Sequence, residues 1–203
     1  MTQAIAVQKL GQRHRGDIAR HLIGLPAEDR RLRFGQPMRD DGIERYVGGI
    51  DFARDRVFAI YADDLALAGV AHLALDGHEQ HAELGLSVDT AFRGRGYGAA
   101  LLGRGVLHAA NRGYSALYMH CLSENSVMMH LAVKAGLKTV VAGGEADARM
   151  ALNRAHGGAL REAMEEQFAL VDYILKQQGS LLGRRAAAAR PSATLLVDEM
   201  AAG

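Results

Sequence analysis

Residues 86–102 read LSVDTAFRGRGYGAALL, and this stretch decides the fold. Leading into it, Ala82, Leu84, Leu86 and Val88 alternate with Glu83, Gly85 and Ser87, the two-residue period of a strand with one apolar face. Beyond it, Gly98, Leu101, Leu102, Gly105, Val106 and Ala109 recur with the spacing of a helical stripe. Between strand and helix lies Arg93-Gly94-Arg95-Gly96-Tyr97-Gly98. A strand that runs through a glycine loop into a helix is a recurring way to bind phosphate. Glycine lets the backbone turn tightly and approach a ligand. The unpaired N–H groups of the first helical turn, with the helix dipole behind them, attract an anion. Arg93 and Arg95 are placed to add charge-assisted hydrogen bonds. The competing reading is a plain tight turn with two solvent arginines.

Other glycine loops fit less well. A Walker loop needs a Gly-Lys-Ser/Thr ending, which is missing here. A dinucleotide loop belongs to repeated parallel strand-helix-strand units, yet hairpin-like strands precede this one. Those strands are Val57 to Tyr61, Leu65 to Leu75 and Ala82 to Val88, joined by the polar turns 61–64 and 76–80. Before them, Ile5 to Leu10 alternates like a first strand. Asp17 and Pro26 mark the starts of two helices, the second Arg-rich and ending near Phe34. After the glycine-loop helix, stopped by Asn111-Arg112-Gly113, come a strand at Ala116 to Leu122, a helix from Ser123 or Asn125 to Gly136, and closing strands at Leu137 to Val141 and Arg149 to Leu152. The pattern is an α/β (α+β) mixed sheet with helices on both faces.

The composition bounds the function. The 203 residues are 49% hydrophobic and 23% charged with a formal net charge of +1, a globular composition without a field that steers toward nucleic acid or membrane. Cys121 is the sole cysteine, so an internal disulfide and a cysteine-based zinc site are excluded. There is no signal-peptide core and no apolar run of membrane length, so a cytoplasmic setting is expected. His72, His78 and His81 lack a metal-ligand pattern, and no metal is expected. His120 and Cys121 are strand neighbours whose side chains point to opposite faces, so core packing is expected rather than a nucleophile pair.

The chain is expected to divide into a domain at 1–155 and a C-terminal helix and tail at 156–203. Leu160, Met164, Phe168, Val171 and Leu175 form an apolar stripe, with Glu162, Glu165, Glu166 and Asp172 off it. An isolated amphipathic helix cannot bury such a face, so the stripe is expected to dock on the domain or to build a homodimer. Beyond Gly179, RRAAAARPSAT reads as a loosely ordered tail.

Two blocks resemble the GNAT superfamily of N-acetyltransferases. Arg93, Gly96 and Gly98 match its Arg/Gln-x-x-Gly-x-Gly/Ala core. ENSVMMHLAVKAGL resembles its second block, through Asn125, Lys134, Gly136 and Leu137. The resemblance covers about residues 4–155. It implies a twisted, mostly antiparallel sheet, acetyl-CoA as co-substrate without a metal, and an amine acceptor, either a small molecule or a protein lysine. By position it implies that the backbone of Leu86, Ser87 and Val88 pairs with the pantetheine arm. Arg93, Gly94, Arg95, Gly96, Tyr97, Gly98 and Ala99 would hold the pyrophosphate, and Asn125 the pantetheine or phosphates. The Val88 N–H would stabilise the oxyanion. Asn125 also suits a helix cap.

The chain departs from the common pattern at Ala132, which stands where many members carry a proton-donating tyrosine. His130 is two residues away, about 200° around the helix, and is expected on the opposite face. A branch with the same departure, the GNAT domains of bacterial protein-lysine acetyltransferases, is similar in LPAEDRRLRF near the start and in Met128, Leu131, Ala132 and Lys134. Its glutamate base aligns with Glu83. The expected activity is acetyl transfer to a primary amine by direct attack. The alternative is a non-catalytic acyl-CoA-binding sensor or regulatory module.

Overall fold

The computed structural model describes residues 4–76, 80–153 and 157–188. The strands are β1 (Gln8–Leu10), β2 (Arg56–Tyr61), β3 (Leu67–Asp76), β4 (His81–Val88), β5 (Ala116–Leu122), β6 (Lys138–Ala142) and β7 (Glu145–Ala151). The helices are α1 (Arg15–Gly24), α2 (Ala27–Phe34), α3 (Asp40–Gly48), α4 (Tyr97–Asn111), α5 (Ser126–Lys134) and α6 (Gly158–Ala188). The sheet order is β1-β2-β3-β4-β5-β7-β6, and every neighbouring pair is antiparallel except β4 and β5. No helix among the described residues is long and apolar enough to cross a membrane.

Strand alternation puts an apolar layer on each face of the sheet. Leu73, Leu75, Leu84 and Leu86 pack with Leu101 and Leu102 of α4 and with Leu117 and Met119 of β5. On the opposite face Val57, Ala59, Tyr61 and Val70 pack with Ile18 and Leu22 of α1 and with Ile43 and Val47 of α3. The helix α3 is an addition to the sequence reading. Its signal is short, only the pair Ile43 and Val47 one turn apart, with Gly42 weakening it. β7 starts at Glu145 rather than Arg149, because Gly143 and Gly144, at φ 60° and 88°, form the tight turn that lets it pair with β6 from Ala142 back.

The parallel pair is the unusual element. β4 and β5 are in register only from His81 with Ala116 to Glu83 with Tyr118. Beyond this, β4 stays on β3 as far as Val88, and β5 stays on β7 as far as Leu122. The two strands therefore part after Glu83 and leave a wedge-shaped gap. The Asp89 N–H donates to Ala68 O of the β3 side at 2.9 Å. Alternation then turns the backbone groups of Ser87 and Gly85 toward β3 and those of Leu84, Leu86 and Val88 into the gap.

The C-terminal helix docks by its polar side. Arg104 of α4 is buried, with its guanidinium 2.9 Å from Glu166 and 3.1 Å from Glu162 of α6. Glu162 also accepts from Asn111 at 2.7 Å and meets His108. Lys9 reaches Glu166, and Lys176 donates to Tyr61 O. The residues counted off the stripe thus make the contact, while Leu160, Met164, Val171 and Leu175 stay more than half exposed. The helix runs on to Ala188, so Gly179 does not end it, and the remainder of the expected tail lies outside the described residues.

Removing a partner from a buried cation costs more than removing an exposed apolar side chain. Glu162→Leu is expected to destabilise the protein by about 3 kcal/mol, the low end of such effects because Glu166 still reaches Arg104. Met164→Gln is expected to change stability by less than about 0.5 kcal/mol. Denaturant unfolding of the two variants checks the order, and a larger loss in Met164→Gln would show that the stripe carries the helix.

Candidate functional site

The loop after β4 has the geometry its glycines allow. Asp89 caps the short turn Thr90–Phe92 by accepting the Ala91 N–H at 2.8 Å. Gly94 and Gly96 lie at φ 74° and 82°, conformations that an L side chain adopts only with strain. Gly96 stands directly before α4, and the first amide to bond back is that of Ala100, to Gly96 O at 3.0 Å. Among the described residues, no amide from Gly94 to Ala99 donates to another group of the chain. These N–H groups form a row of unused donors at the positive end of a 15-residue helix.

A cavity of about 460 Å³ opens beside this row and continues along the free edge of β4. It brings together Leu86, Ser87, Val88, Arg93, Gly94, Gly96, Tyr97, Gly98, Ala99 and Asn125. Arg95 does not line it. Its guanidinium lies 5.2 Å over the Phe92 ring and donates to Ala91 O. Arg93 does line it, but pairs with Asp29 of α2 at 2.6 Å, so part of its charge is already neutralised. Nothing local in the sequence ties Asp29 of α2 to this loop.

The opposite wall is α5. Asn125 is buried and accepts the Met128 N–H at 3.1 Å, so it does act as the helix cap. Ala132 is 1% exposed and sits in the core. His130, expected to face away, lines the cavity with Val127, Met128, Leu131 and Lys134. The expectation failed because it took position 132 to face the cavity, whereas this helix turns that position into the core.

The side chains on one face of β4 belong to a further group of polar residues, of which Arg33 and Ser87 also line the cavity. Glu83 is exposed there, on the same face as Gly85 and Ser87, and does not line the cavity. Gly85 is covered by Arg33 of α2, and a Cβ built on it would lie 2.5 Å from the guanidinium carbon. The Arg33 Nη2 donates to the Tyr46 hydroxyl at 3.0 Å. That hydroxyl is 2.7 Å from His72 Nδ1, and His72 Nε2 is 3.2 Å from the buried Asp55 carboxylate. With the Arg33 N–H filling the phenol's acceptor role, Tyr46 donates to Nδ1 and the Nε2 proton is left for Asp55. Ser87 is likewise engaged. Its Oγ is 2.9 Å from His21 Nε2, and His21 Nδ1 is 2.8 Å from Leu67 O. The carbonyl can only accept, so Nδ1 carries the proton and Ser87 donates to Nε2.

Burial pushes the imidazoles of His21 and His72 below their usual range. For His21 the Leu67 carbonyl and Asp89 oppose this, and Arg33 reinforces it. For His72 Asp55 opposes and Arg33 reinforces. Burial works against the Asp55 charge, yet Arg54, the Leu75 N–H and His72 outweigh it and hold that carboxyl low. Burial also raises the Cys121 thiol, which touches Met129, while His120 pairs with Asp147 at 2.5 Å. Cys121 and His120 therefore have different partners. No three His, Cys, Asp or Glu side chains among the described residues converge as a metal site requires. His78 lies outside those residues.

The family model described as the acetyltransferase (GNAT) family matches residues 25–137, from the end of α1 to the start of β6. Solved structures share the fold. The GNAT domain of Streptomyces lividans PAT superposes with a TM-score of 0.62 at 18% identity, covering 72% of this chain and 89% of that one. A phosphinothricin acetyltransferase from Sinorhizobium meliloti, in complex with acetyl-CoA, gives 0.60 at 14% identity over 77% and 92%. A ribosomal L7/L12 α-N-protein acetyltransferase, in complex with coenzyme A, gives 0.59 at 14% over 76% and 98%. No curated protein sequence matches the chain.

The buried imidazoles make stability depend on pH with a definite sign. His21, His72 and His108 all titrate below their ordinary value of 6.5 in the folded chain, burial being the first cause for each. Below pH 6.5 the unfolded chain takes up protons that the folded chain refuses. The melting temperature is expected to hold from about pH 8 to 7 and to fall toward pH 5.5, with a shallower fall in His21→Gln. A melt series across that range checks this, and a flat profile would contradict it.

Proposed function

The chain belongs to the acetyltransferase (GNAT) family, and from that premise we propose that it moves an acetyl group from acetyl-CoA to a primary amine by direct attack. One observation carries the reading: the free edge of β4 leads straight into the row of unused amides from Gly94 to Ala99. The edge suits a pantetheine arm, which can pair with a strand. The amides suit a pyrophosphate. Arg93 adds charge there once Asp29 yields it. Asn125, already capping α5, presents the rest of its side chain to the same cavity.

The proton goes to Glu83 in this reading. A neutral amine attacks the thioester carbon, and its proton passes to the Glu83 carboxylate. The C–S bond then breaks, and sulfur leaves as the thiolate, because Ala132 offers no proton. In this reading, spacing along the strand favours Leu86 over Val88 as the oxyanion donor. Val88 and Glu83 are five residues apart, about 17 Å at the rise of a strand, too far for a shared reacting centre. The Leu86 N–H faces the same gap and is about 10 Å from Glu83, a span that the glutamate side chain and one water close. Leu86 is therefore the better donor to the thioester oxygen. Val88 then holds the pantetheine arm above it.

The alternative, a CoA-binding module without turnover, draws on the buried Ala132. Two variants separate the readings. Gly96→Glu places a carboxylate where the phosphates would lie, at a φ of 82° that already disfavours a side chain, and is expected to abolish acetyl-CoA binding in calorimetry. Equal affinity in wild type and variant would remove the loop from the site. Glu83→Gln is expected to keep that affinity and to lower CoA release with an accepted amine by roughly 10²–10⁴-fold. Unchanged turnover would leave Glu83 without the proton, and no CoA release from wild type with any amine would favour the module.

A further inference from the structure

The proposed reaction leaves Arg33 without a task, and the structure gives this side chain an unusual seat. Its guanidinium lies against the bare face of Gly85, between Glu83 and Ser87 on β4, where any Cβ would collide with it. It lines the cavity, half-buried. Among the described residues its hydrogen-bond partner is the Tyr46 hydroxyl at 3.0 Å, and its central carbon lies 5.0 Å and 5.7 Å from the ring centroids of Phe34 and Tyr46. Tyr46 is fixed in turn through His72 to the buried Asp55.

What this cation lacks among the described residues is a counterion. Its neighbours Arg30, Arg31 and Arg93 each pair with a carboxylate, whereas no carboxylate of the described residues lies within ion-pair distance of Arg33. A guanidinium has five N–H donors, and Tyr46 uses one. His21 and His72 beside it are held neutral by burial. The result is a partly desolvated, aimed, unpaired cation on the face of β4 that carries Glu83. A carboxylate offers the planar, two-oxygen partner that such a fork takes up.

We propose that Arg33 binds a carboxylate of the acceptor, so that the substrate is an amine bearing an acidic group near the nitrogen, as in an amino acid. The inference rests on the amine-acceptor reading and adds the substrate class. The amine would lie toward Glu83 and the carboxylate on the guanidinium that covers Gly85, two residues along the strand and therefore about 7 Å away. That separation suits one small molecule carrying both groups. Tyr46 is a positioning residue here, holding the guanidinium flat on Gly85 without itself taking the carboxylate.

Equilibrium binding tests this independently of turnover. The full chain, saturated with CoA, is titrated calorimetrically with matched pairs of an amino acid and its decarboxylated amine: alanine with ethylamine, phenylalanine with phenethylamine, lysine with cadaverine. At least one carboxylated member is expected to bind tenfold or more tightly than its partner. Arg33→Gln is expected to erase that preference while leaving CoA affinity within about twofold. Tyr46→Phe is expected to reduce the preference, and Gly85→Ala, which displaces the guanidinium without removing it, to do the same should Arg33→Gln not fold. No preference in any pair, or a preference that survives Arg33→Gln, overturns the proposal. A loss of CoA affinity in Arg33→Gln with the amine preference intact also overturns it, since the cation would then serve the cofactor. Failure of the proton assignment is read separately, from Glu83→Gln turnover.

Discussion

The parting of β4 from β5 is the constraint on which the rest depends. Two strands that pair for three residues and then diverge leave hydrogen-bonding groups exposed along both inner edges, from Leu84 to Val88 on one side. Unpaired backbone groups inside a protein are costly, and free strand edges invite unwanted pairing. The fold tolerates them because each strand is fully secured on its other side, β4 by β3 and β5 by β7. The wedge is therefore held open by its flanks. The hydrophobic alternation that fastens Leu84 and Leu86 under α4 fixes which edge groups look into it.

Much of this was legible because it is local. A strict alternation from Ala82 to Val88, a glycine loop and a helical stripe are each written in consecutive residues. The turn at Gly94 and Gly96 needs a positive φ, and the residue type announces it. The cap at Asn125 was legible for the same reason. What stayed hidden is what depends on contacts between distant segments. Asp29 is an ordinary acidic residue of a first helical turn until α2 is laid beside the loop and it takes Arg93. The orientation of α5 is set by how Ala132 and Met128 pack, and an assumed wheel sent His130 to the wrong side. The C-terminal helix shows the limit of reasoning from apolar stripes alone. A buried Arg104, unremarkable within its own helix, draws the acidic side of α6 inward and turns the stripe out.

The site divides its tasks between two surfaces of one strand. Backbone groups of β4 point sideways into the wedge, where a cofactor arm can pair with them. Its side chains point to the sheet faces; on the face with Glu83, Gly85 and Ser87, residues of α2 and α1 cover Gly85 and Ser87 and leave Glu83 exposed. In the proposed reaction a single strand thus presents hydrogen-bonding backbone to one reactant and side-chain chemistry to the other, without either function competing for the same atoms. Glycine at position 85 belongs to this division. It gives up a side chain on β4 so that a residue from α2 can occupy the space.

The charge balance on that face follows from burial. Histidines in contact with a cation would ordinarily stay wet, and acids would gather to neutralise it. Here Ser87 and Leu67 O occupy both nitrogens of His21, and Tyr46 and Asp55 occupy those of His72. Both rings satisfy their hydrogen bonds while remaining uncharged, so neither adds to the repulsion on Arg33. Asp55, the buried carboxylate behind His72, is spent on Arg54, the Leu75 N–H and His72. Desolvating a charge without a partner is expensive, and a chain that leaves Arg33 so placed gains that energy back only when an anion arrives. The open donors of this cation and the missing side chain of Gly85 are therefore one feature: the glycine makes room for the guanidinium, on the side of β4 from which, in the proposed reaction, an amine would approach.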